Sequence, residues 1–347
     1  MSRLQELKEV LLNIKLAWER KQQAALVMLI DVHGSAYRLP GTKMMMASDG
    51  VMHGTISGGC LEGDLYGWAD KAMKSKRPLL QRYDLSENEI WGLGIGCNGE
   101  LEMLILPIVE ADNFWRKVEE VTRKGQVFSL VLEVPTGRRL LIKKNGETSG
   151  SLVPDEVIKR AILCIENQTR AEVFCCGGSR YVIDVVKPGE RLIVAGAGRD
   201  ARPVAELASK VGFTVTILDQ RKNFNNPHYF PSANHVIDSP TVIVPNDVVD
   251  SWWVIMNHHQ EMDETCLLLA LKSEPRYVGV LGPRSRTETM LSNIGYSLSS
   301  GPIHSPVGLD LGAETMDEVA LSIVSELMTV RTGQKPLPLH GKWKIHG

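Results

Sequence analysis

The chain has 347 residues, of which 43% are hydrophobic and 23% charged, and its formal net charge is -2. These values are normal for a globular protein, and the small charge gives no sign of a surface for nucleic acid. The length exceeds one ordinary core, so we expect two domains, and no apolar run reaches the roughly 20 residues that cross a bilayer.

The first predicted element is an amphipathic helix in the segment MSRLQELKEVLLNIKLAWERK. Its apolar residues fall on one face, and Ser2 and Gln5 are spaced as in a capping box. Charged residues interrupt every apolar pair, unlike the apolar region of a signal peptide. We therefore expect a cytoplasmic protein whose six cysteines, none of them in a CxxC pair, are reduced.

The residues that follow predict an α+β domain over residues 1–187. A strand, a loop and a hairpin come first, and Asp49-Gly50 suits a type I′ turn. A helix over CLEGDLYGWADKAMKSK ends before Pro78, and a strand follows at ELEMLILP. The next helix, FWRKVEEVTRKG, has Gly125 as its C-terminal cap.

Short strands dominate the rest of this domain, from VFSLVLEVP to EVFCCGGSRYVIDVV, with one helix over DEVIKRAILCIENQT. Asn145-Gly146 and Gly177-Gly178 are hairpin signals. Pro188-Gly189 punctuates the chain just before a cleaner pattern begins, and we place the domain boundary there.

A Rossmann-like domain is predicted for residues 188–335, followed by a tail over residues 336–347. The stretch RLIVAGAGRDARPVAELASKVGFTVTILDQR has the pattern of a strand, a glycine turn, a helix and a strand, and further strands are expected at ANHVID, WWVIMN and RYVGVLG. This alternation predicts a doubly wound parallel sheet covered on both faces. The last helix begins with a capping box at Thr315 and Glu318, and its apolar face suits the core or a dimer interface. The fold class is therefore α/β.

The glycine turn has the spacing of a dinucleotide-binding motif. Gly196, Gly198 and Ala201 reproduce G-x-G-x-x-A directly after a predicted strand, where small residues let a pyrophosphate approach the backbone. Asp219 ends the next strand, where a carboxylate can bind a ribose 2′-hydroxyl, and Arg221 leaves a mild preference for NAD over NADP. The turn predicts NAD or another nucleotide as a ligand, although it can also persist as architecture alone.

Polar residues follow two later strands, where they would border the ligand crevice. Arg284 and Arg286 suit a phosphate or carboxylate, and they are equally well explained as solvated surface residues. His258, His259 and Asp263 could orient a ligand or act as acid–base groups. Hydrogen bonding between loops is an equally good account of these three.

Two cysteines stand in glycine-rich turns of the first domain. Cys60 follows Gly58 and Gly59 at a predicted helix start, where the helix dipole favours the thiolate. Cys97 lies in the second turn, GIGCNGE. Two such thiols could hold a soft metal or carry sulfur, whereas the structural alternative is a pair of small buried hydrophobic residues.

Charged residues near these turns receive different interpretations. Arg38 and Lys43, in VHGSAYRLPGTK, are two cations suited to an anionic ligand. Glu62 and Asp64 follow Cys60 and are expected to be favourable first-turn acids of the helix rather than catalytic groups.

These stretches together resemble the XdhC/CoxI family, the maturation factors of molybdenum hydroxylases such as xanthine dehydrogenase. GSAYRLPGTKMMM, GTISGGCLEGDL and GIGCNGELEMLILP are similar to three signature segments of its N-terminal domain. LIVAGAG, VTILDQR, YVGVLGPRSR and PVGLDLGAETMDEVALSIVSELM are similar to its C-terminal Rossmann domain. The likeness covers nearly the whole chain.

The resemblance implies a chaperone that binds the molybdenum cofactor (molybdopterin), protects it during sulfuration and delivers it to a xanthine dehydrogenase-type enzyme. Cys60 and Cys97 would be the thiols at the cofactor and its metal, and Arg38 with the Gly58-Gly59 turn would be part of the binding surface. It also implies a homodimer, and a cysteine desulfurase is a second candidate partner.

Two other functions remain open from the sequence. An NAD(P)-dependent oxidoreductase would use the Rossmann turn, with His258 or Cys60 as an acid–base or nucleophilic group. A binding or scaffold protein would use the glycine turns only to shape its loops.

Overall fold

Two antiparallel sheets build the first half of the chain, and one parallel sheet builds the second. The computed structural model describes residues 2–34, 36–84 and 99–341. These residues divide into two compact units, Ser2–Pro188 and Gly189–Pro338. The predicted α/β class, with a Rossmann-like parallel sheet in the C-terminal half, is confirmed.

The first sheet of the N-terminal unit has its strands in the order β3-β2-β1-β5-β4, all antiparallel. Alternate side chains of the central strand β1 enter two different cores, Leu26 on one face and Val27 on the other, which explains why its sequence is apolar over residues 24–30. The strands are β1 (Ala24–Gly34), β2 (Lys43–Ala47), β3 (Met52–His53), β4 (Leu79–Asp84) and β5 (Gly99–Ile108).

The second sheet has the order β8-β7-β6-β10-β9, again antiparallel. Its strands are β6 (Phe128–Val134), β7 (Arg139–Lys143), β8 (Thr148–Gly150), β9 (Glu172–Cys176) and β10 (Ser179–Val186). The helices of this unit are α1 (Arg3–Glu19), α2 (Glu62–Ser75), α3 (Asn113–Arg123) and α4 (Asp155–Glu166). The two sheets share one core with α1 and α3, while α2 covers the other face of the first sheet and α4 that of the second.

The three predicted hairpins are present, but one turn type is wrong. Gly177 and Gly178 both take positive φ, as a type I′ turn requires. At Asp49-Gly50 the glycine alone does so, because Ala47 N–H bonds to Val51 O and the loop is longer than two residues.

The six strands of the C-terminal unit pair in parallel in the order β13-β12-β11-β14-β15-β16. Helices α5 and α8 cover one face and α6 and α7 the other, as expected of a doubly wound sheet. The strands are β11 (Arg191–Ala195), β12 (Thr214–Leu218), β13 (Asn234–Val236), β14 (Trp252–Ile255), β15 (Tyr277–Val280) and β16 (Ile303–His304). The helices are α5 (Ala201–Lys210), α6 (Gln260–Lys272), α7 (Arg284–Asn293) and α8 (Met316–Thr332).

The last helix is fixed at its start and along its length. Thr315 and Glu318 form the predicted capping box. Further along, Glu326 accepts hydrogen bonds from Tyr277 Oη (2.6 Å), His304 Nδ1 (2.8 Å) and Gly308 N (2.7 Å). Burial opposes the ionised form of Glu326, but these bonds outweigh it, and the pKa lies below its usual value. None of the helices in the described part of the chain is both long and apolar enough to span a membrane.

Candidate functional site

A thiol on a glycine turn stands at the N-terminal end of α2. Residues 54–61, which we call the Cys60 loop, connect β3 to α2. Cys60 is exposed and lies two residues before the first helical residue, whereas the sequence predicted that it begins the helix. Gly58 and Gly59 have φ values of +75° and +113°, which a residue with a Cβ adopts only with strain. A Cβ at Gly59 would meet nothing within 4 Å, so this face of the turn is open.

The carboxylate of Glu62 holds this loop in place. It accepts hydrogen bonds from the N–H groups of Ile56, Ser57 and Gly59 at 3.1, 3.0 and 2.9 Å. The hydroxyl groups of Thr55 (2.7 Å) and Ser57 also donate to it. Burial works against the ionised form, but the hydrogen bonds outweigh it and lower the pKa of Glu62 from 4.5 to about 2. This first-turn acid is therefore the anchor of the loop that carries the thiol.

A second loop, residues 36–42, lies against the first. Ring atoms of Tyr37 are 3.6 and 3.7 Å from the position that a Cβ on Gly58 would take. Arg38 donates to Glu6 on α1 at 2.7 Å, and burial raises the pKa of Glu6. The arginine expected at the binding surface is thus held by a carboxylate of the same unit, and its role toward a ligand stays a prediction.

Lys43, which the sequence suggested as a cation for an anionic ligand, is paired with a carboxylate of the same unit. Its side chain is fully buried, with Nζ 2.5 Å from Asp184 Oδ2 on β10 and 2.8 Å from the carbonyl oxygen of Gly41. Arg3 on α1 also pairs with Asp184 and donates to the carbonyl oxygen of Pro40 at 2.6 Å. The buried ion pairs therefore tie the 36–42 loop to α1 and to the second sheet.

Cys97 lies outside the described residues, so its pairing with Cys60 stays a prediction. Cys164 and Cys266 are buried, and burial raises the pKa of both thiols, that of Cys266 to about 12. Cys175 is exposed, like Cys60, but lies on β9. In the described ranges, no three His, Cys, Asp or Glu side chains are arranged to hold a metal ion.

A pocket of about 330 Å³ opens where β1 ends and β5 begins. Arg82 and Arg180 line it, and both pair with Glu102. Tyr83 is also in the lining and donates to Asp64 on the first turn of α2 at 2.5 Å. Burial, and then this hydrogen bond, raises the pKa of Tyr83. Because side chains alternate along a strand, Tyr83 packs on the α2 face of the first sheet, whereas Arg82 and Glu102 project from its opposite face.

The predicted glycine turn of the C-terminal unit follows β11 and leads into α5. Gly196 has a φ of +117°, and a Cβ there would lie 2.6 Å from the carbonyl oxygen of Met256, so no side chain fits. Gly198 follows in the same turn, and α5 begins at Ala201, as predicted. Because the strand order reverses between β11 and β14, the turn and the loop after β14 flank a crevice at the carboxyl edge of the sheet.

The carboxylate of Asp219 stabilises this glycine turn by a hydrogen bond. Its Oδ2 accepts from Ala197 N at 2.8 Å, and the backbone N–H and guanidinium of Arg221 donate to the same carboxylate at 2.9 and 2.6 Å. Burial opposes the charge, but these bonds outweigh it and hold the pKa of Asp219 below its usual value. A ribose hydroxyl would have to compete with these donors, and the ribose-binding role of Asp219 stays a prediction.

A cleft of about 220 Å³ lies at this edge, with Asp219, Arg221 and His259 in its lining. His258 does not line this cleft. Its Nε2 lies 2.7 Å from Asp200 Oδ2 at the start of α5. This contact favours the interpretation of His258 as a bridge between loops.

The two arginines after β15 also have partners within the unit. Arg286 donates at 2.5 Å to the buried Asp263, which also accepts from Asn257 N at 3.0 Å. Arg284 pairs with Glu288 one turn along α7 at 2.8 Å, on an exposed surface. Arg286 therefore joins α7 to α6, and a ligand role for Arg284 stays a prediction.

Neither Tyr37 nor Asp184 was predicted as a site residue. Asp184 has a signal, because it is the one charge in the strand YVIDVV, and a carboxylate in an apolar strand is rarely buried without a partner. No spacing rule points to Tyr37, since its position depends on how two loops meet.

Two family models match the chain. One, described as the XdhC and CoxI family, matches residues 17–84, and the other, described as the XdhC Rossmann domain, matches residues 192–327. A Bacillus subtilis (strain 168) protein, named as a probable subunit of xanthine dehydrogenase, is 30% identical over 330 residues, which cover 90% of this chain and 94% of that protein.

Two further similar proteins also match over most of their length. The Molybdenum cofactor insertion chaperone PaoD of Escherichia coli (strain K12) is 25% identical over 320 residues, which cover 90% of this chain and 85% of that protein. A crystal structure described as a xanthine dehydrogenase from Bacillus halodurans is 29% identical, with a TM-score of 0.78, and the match covers 98% of this chain and 99% of that one.

Proposed function

The chain belongs to the XdhC and CoxI family, and we propose that it is a chaperone that binds the molybdenum cofactor as cargo, protects it during sulfuration and delivers it to a xanthine dehydrogenase-type enzyme. A relative of nearly equal extent is named a molybdenum cofactor insertion chaperone, which supports this role. The observation that carries the proposal is the exposed Cys60 thiol on a loop ordered by Glu62.

The Cys60 loop has the chemistry that such cargo needs. A thiolate is a soft ligand suited to a metal–sulfur centre, and Cys60 is exposed two residues before the start of α2. The open face at Gly59 leaves the backbone accessible to a bulky pterin. Cys97 and Arg38 complete the proposed surface.

An NAD(P)-dependent oxidoreductase is less well supported. The carboxylate of Asp219, which would bind the ribose, already accepts hydrogen bonds from Ala197 and Arg221. His258, the proposed acid–base group, is hydrogen-bonded to Asp200 and does not line the cleft beside Asp219. We propose that the Rossmann unit has a binding or regulatory role, with NAD or another nucleotide as its candidate ligand.

The remaining parts of the proposal concern assembly. We propose a homodimer in the cytoplasm, with a cysteine desulfurase as a further partner that supplies the sulfur. Gel filtration with light scattering measures the oligomeric state, and a monomeric mass at micromolar concentration would contradict the homodimer.

The cargo is tested by purifying the chain from cells that make the cofactor, then measuring molybdenum by elemental analysis and the pterin by fluorescence after denaturation. We expect a stoichiometric cofactor in the wild type and a loss of most of it in Cys60→Ala. Cys175→Ala removes another exposed thiol of the same unit and should retain the cofactor. Equal contents in the two variants would remove Cys60 from the site, and no cofactor in the wild type would contradict the proposal.

A further inference from the structure

The side chain of Tyr37 lies against Gly58, two residues before Cys60, with most of its surface uncovered. It is 61% exposed, although an aromatic side chain normally buries a large apolar area in a core or an interface. Its hydroxyl makes no hydrogen bond to any other described residue. Burial in this unit therefore does not explain an aromatic residue at this position.

The loop that carries Tyr37 is firmly anchored. Arg38 donates to Glu6, Arg3 donates to the carbonyl oxygen of Pro40, and Gly41 N–H donates to the carbonyl oxygen of Leu29 at 2.7 Å. The buried ion pair of Lys43 follows directly. An exposed ring on an anchored loop loses little freedom when a ligand covers it, so the binding energy of that contact is retained.

The ring also lies against a residue that is close in the chain to the one that carries the thiol. It contacts the position above Gly58, and Cys60 is two residues further on, a span of at most about 7 Å along the chain. A flat ligand lying on the Tyr37 ring would therefore extend over the open glycine turn towards Cys60. Aromatic side chains bind flat heterocycles by stacking in this way, whatever their hydrogen-bonding edge.

We propose that Tyr37 is the platform on which the flat pterin ring of the cargo stacks, and that it positions the metal end of the cofactor at Cys60. This inference rests on the proposed function and adds a positioning residue to it. The hydroxyl is not needed for stacking, whereas the ring is, and this distinction makes the role testable.

The test measures the affinity of purified chains for molybdenum cofactor released anaerobically from a molybdoenzyme. Tyr37→Ala should bind about tenfold more weakly, within the range that one stacking contact supplies. Tyr37→Phe should bind as the wild type does. Leu152→Ala, which truncates a side chain that is 95% exposed in the same unit, is the matched control and should also be unchanged. Thermal unfolding of all these chains should agree, since neither side chain is buried.

The outcomes separate this inference from the proposed function. If Tyr37→Ala binds within twofold of the wild type while Cys60→Ala is weakened, the stacking role is wrong and the chaperone function stands. If Tyr37→Phe is weakened as much as Tyr37→Ala, the hydroxyl acts rather than the ring, and the inference is also wrong. If the wild type does not bind the cofactor, the proposed function fails and the inference fails with it.

Discussion

Replacing Glu62 by Gln removes one charge from the Cys60 loop and leaves the side-chain volume nearly unchanged. A carboxylate has two acceptor oxygens, whereas an amide has one and would direct its own N–H donors at the donors of the loop. Five groups donate to Glu62, so the amide can satisfy only some of them. We expect the loop to open locally while α2 and the first sheet remain folded.

The size of the effect follows from the pKa of Glu62. A fall from 4.5 to about 2 corresponds to about 3 kcal/mol at neutral pH, and partial screening by solvent reduces this to about 2. Because the folded-state pKa is lowered, this stabilisation is fully present above pH 4.5 and is lost as the pH falls towards 2. A loss of about 2 kcal/mol makes opening of the loop about thirtyfold more frequent.

The rate of amide hydrogen exchange in a peptide covering residues 54–61, measured by mass spectrometry, reports how often the loop opens. At pH 7, exchange in Glu62→Gln should be about thirtyfold faster than in the wild type. Asp70→Asn makes the same chemical change on the same helix, where the exposed pair with Lys74 stabilises little, and should leave the peptide unchanged. Equal exchange in Glu62→Gln and the wild type would refute the reasoning.

Two further predictions concern buried carboxylates and their partners. Lys43→Met leaves Asp184 without one of its buried partners and should lower the free energy of unfolding of the N-terminal unit by about 3–5 kcal/mol, measured by urea denaturation. The control, Lys74→Met, removes an exposed ion pair and should lower it by less than about 1 kcal/mol. A loss below about 1 kcal/mol for Lys43→Met would show that the pair is not buried as described. Glu326→Gln should destabilise the C-terminal unit by about 1–3 kcal/mol at pH 7, because three groups donate to the carboxylate. Since the pKa of Glu326 is lowered, the difference from the wild type should shrink below pH 4.5, and a difference that grows there would contradict the assignment.

Periodicity and turn residues were sufficient to predict most of the elements in their order. The parallel sheet follows from short apolar runs that alternate with helices, and the end of α3 follows from Gly125, which has a φ of +67°. The strand Leu79–Asp84 was not predicted, because half of its residues are polar, and the strand Ile303–His304 was not predicted, because two residues carry no periodicity. The turn type at Asp49-Gly50 was wrong because a dipeptide does not fix the length of the loop around it.

The candidate site was predictable only in part. Its glycines and its thiol are visible in the sequence, but the anchoring role of Glu62 depends on the chain turning back at Gly58 and Gly59. The buried ion pair of Lys43 was not predictable, because its partner, Asp184, lies 141 residues further along the chain. Contacts of this kind depend on how the two sheets of the unit meet, which no local pattern encodes.

Transfer of the cofactor is the most direct test of the proposed function. Protein loaded with molybdenum cofactor is mixed with a cofactor-free xanthine dehydrogenase-type enzyme, and the hydroxylase activity that appears is measured. The proposal predicts activity with the wild type and with Cys175→Ala, and little or none with Cys60→Ala. Failure of the loaded wild type to activate the enzyme, or equal activation by Cys60→Ala, would contradict it.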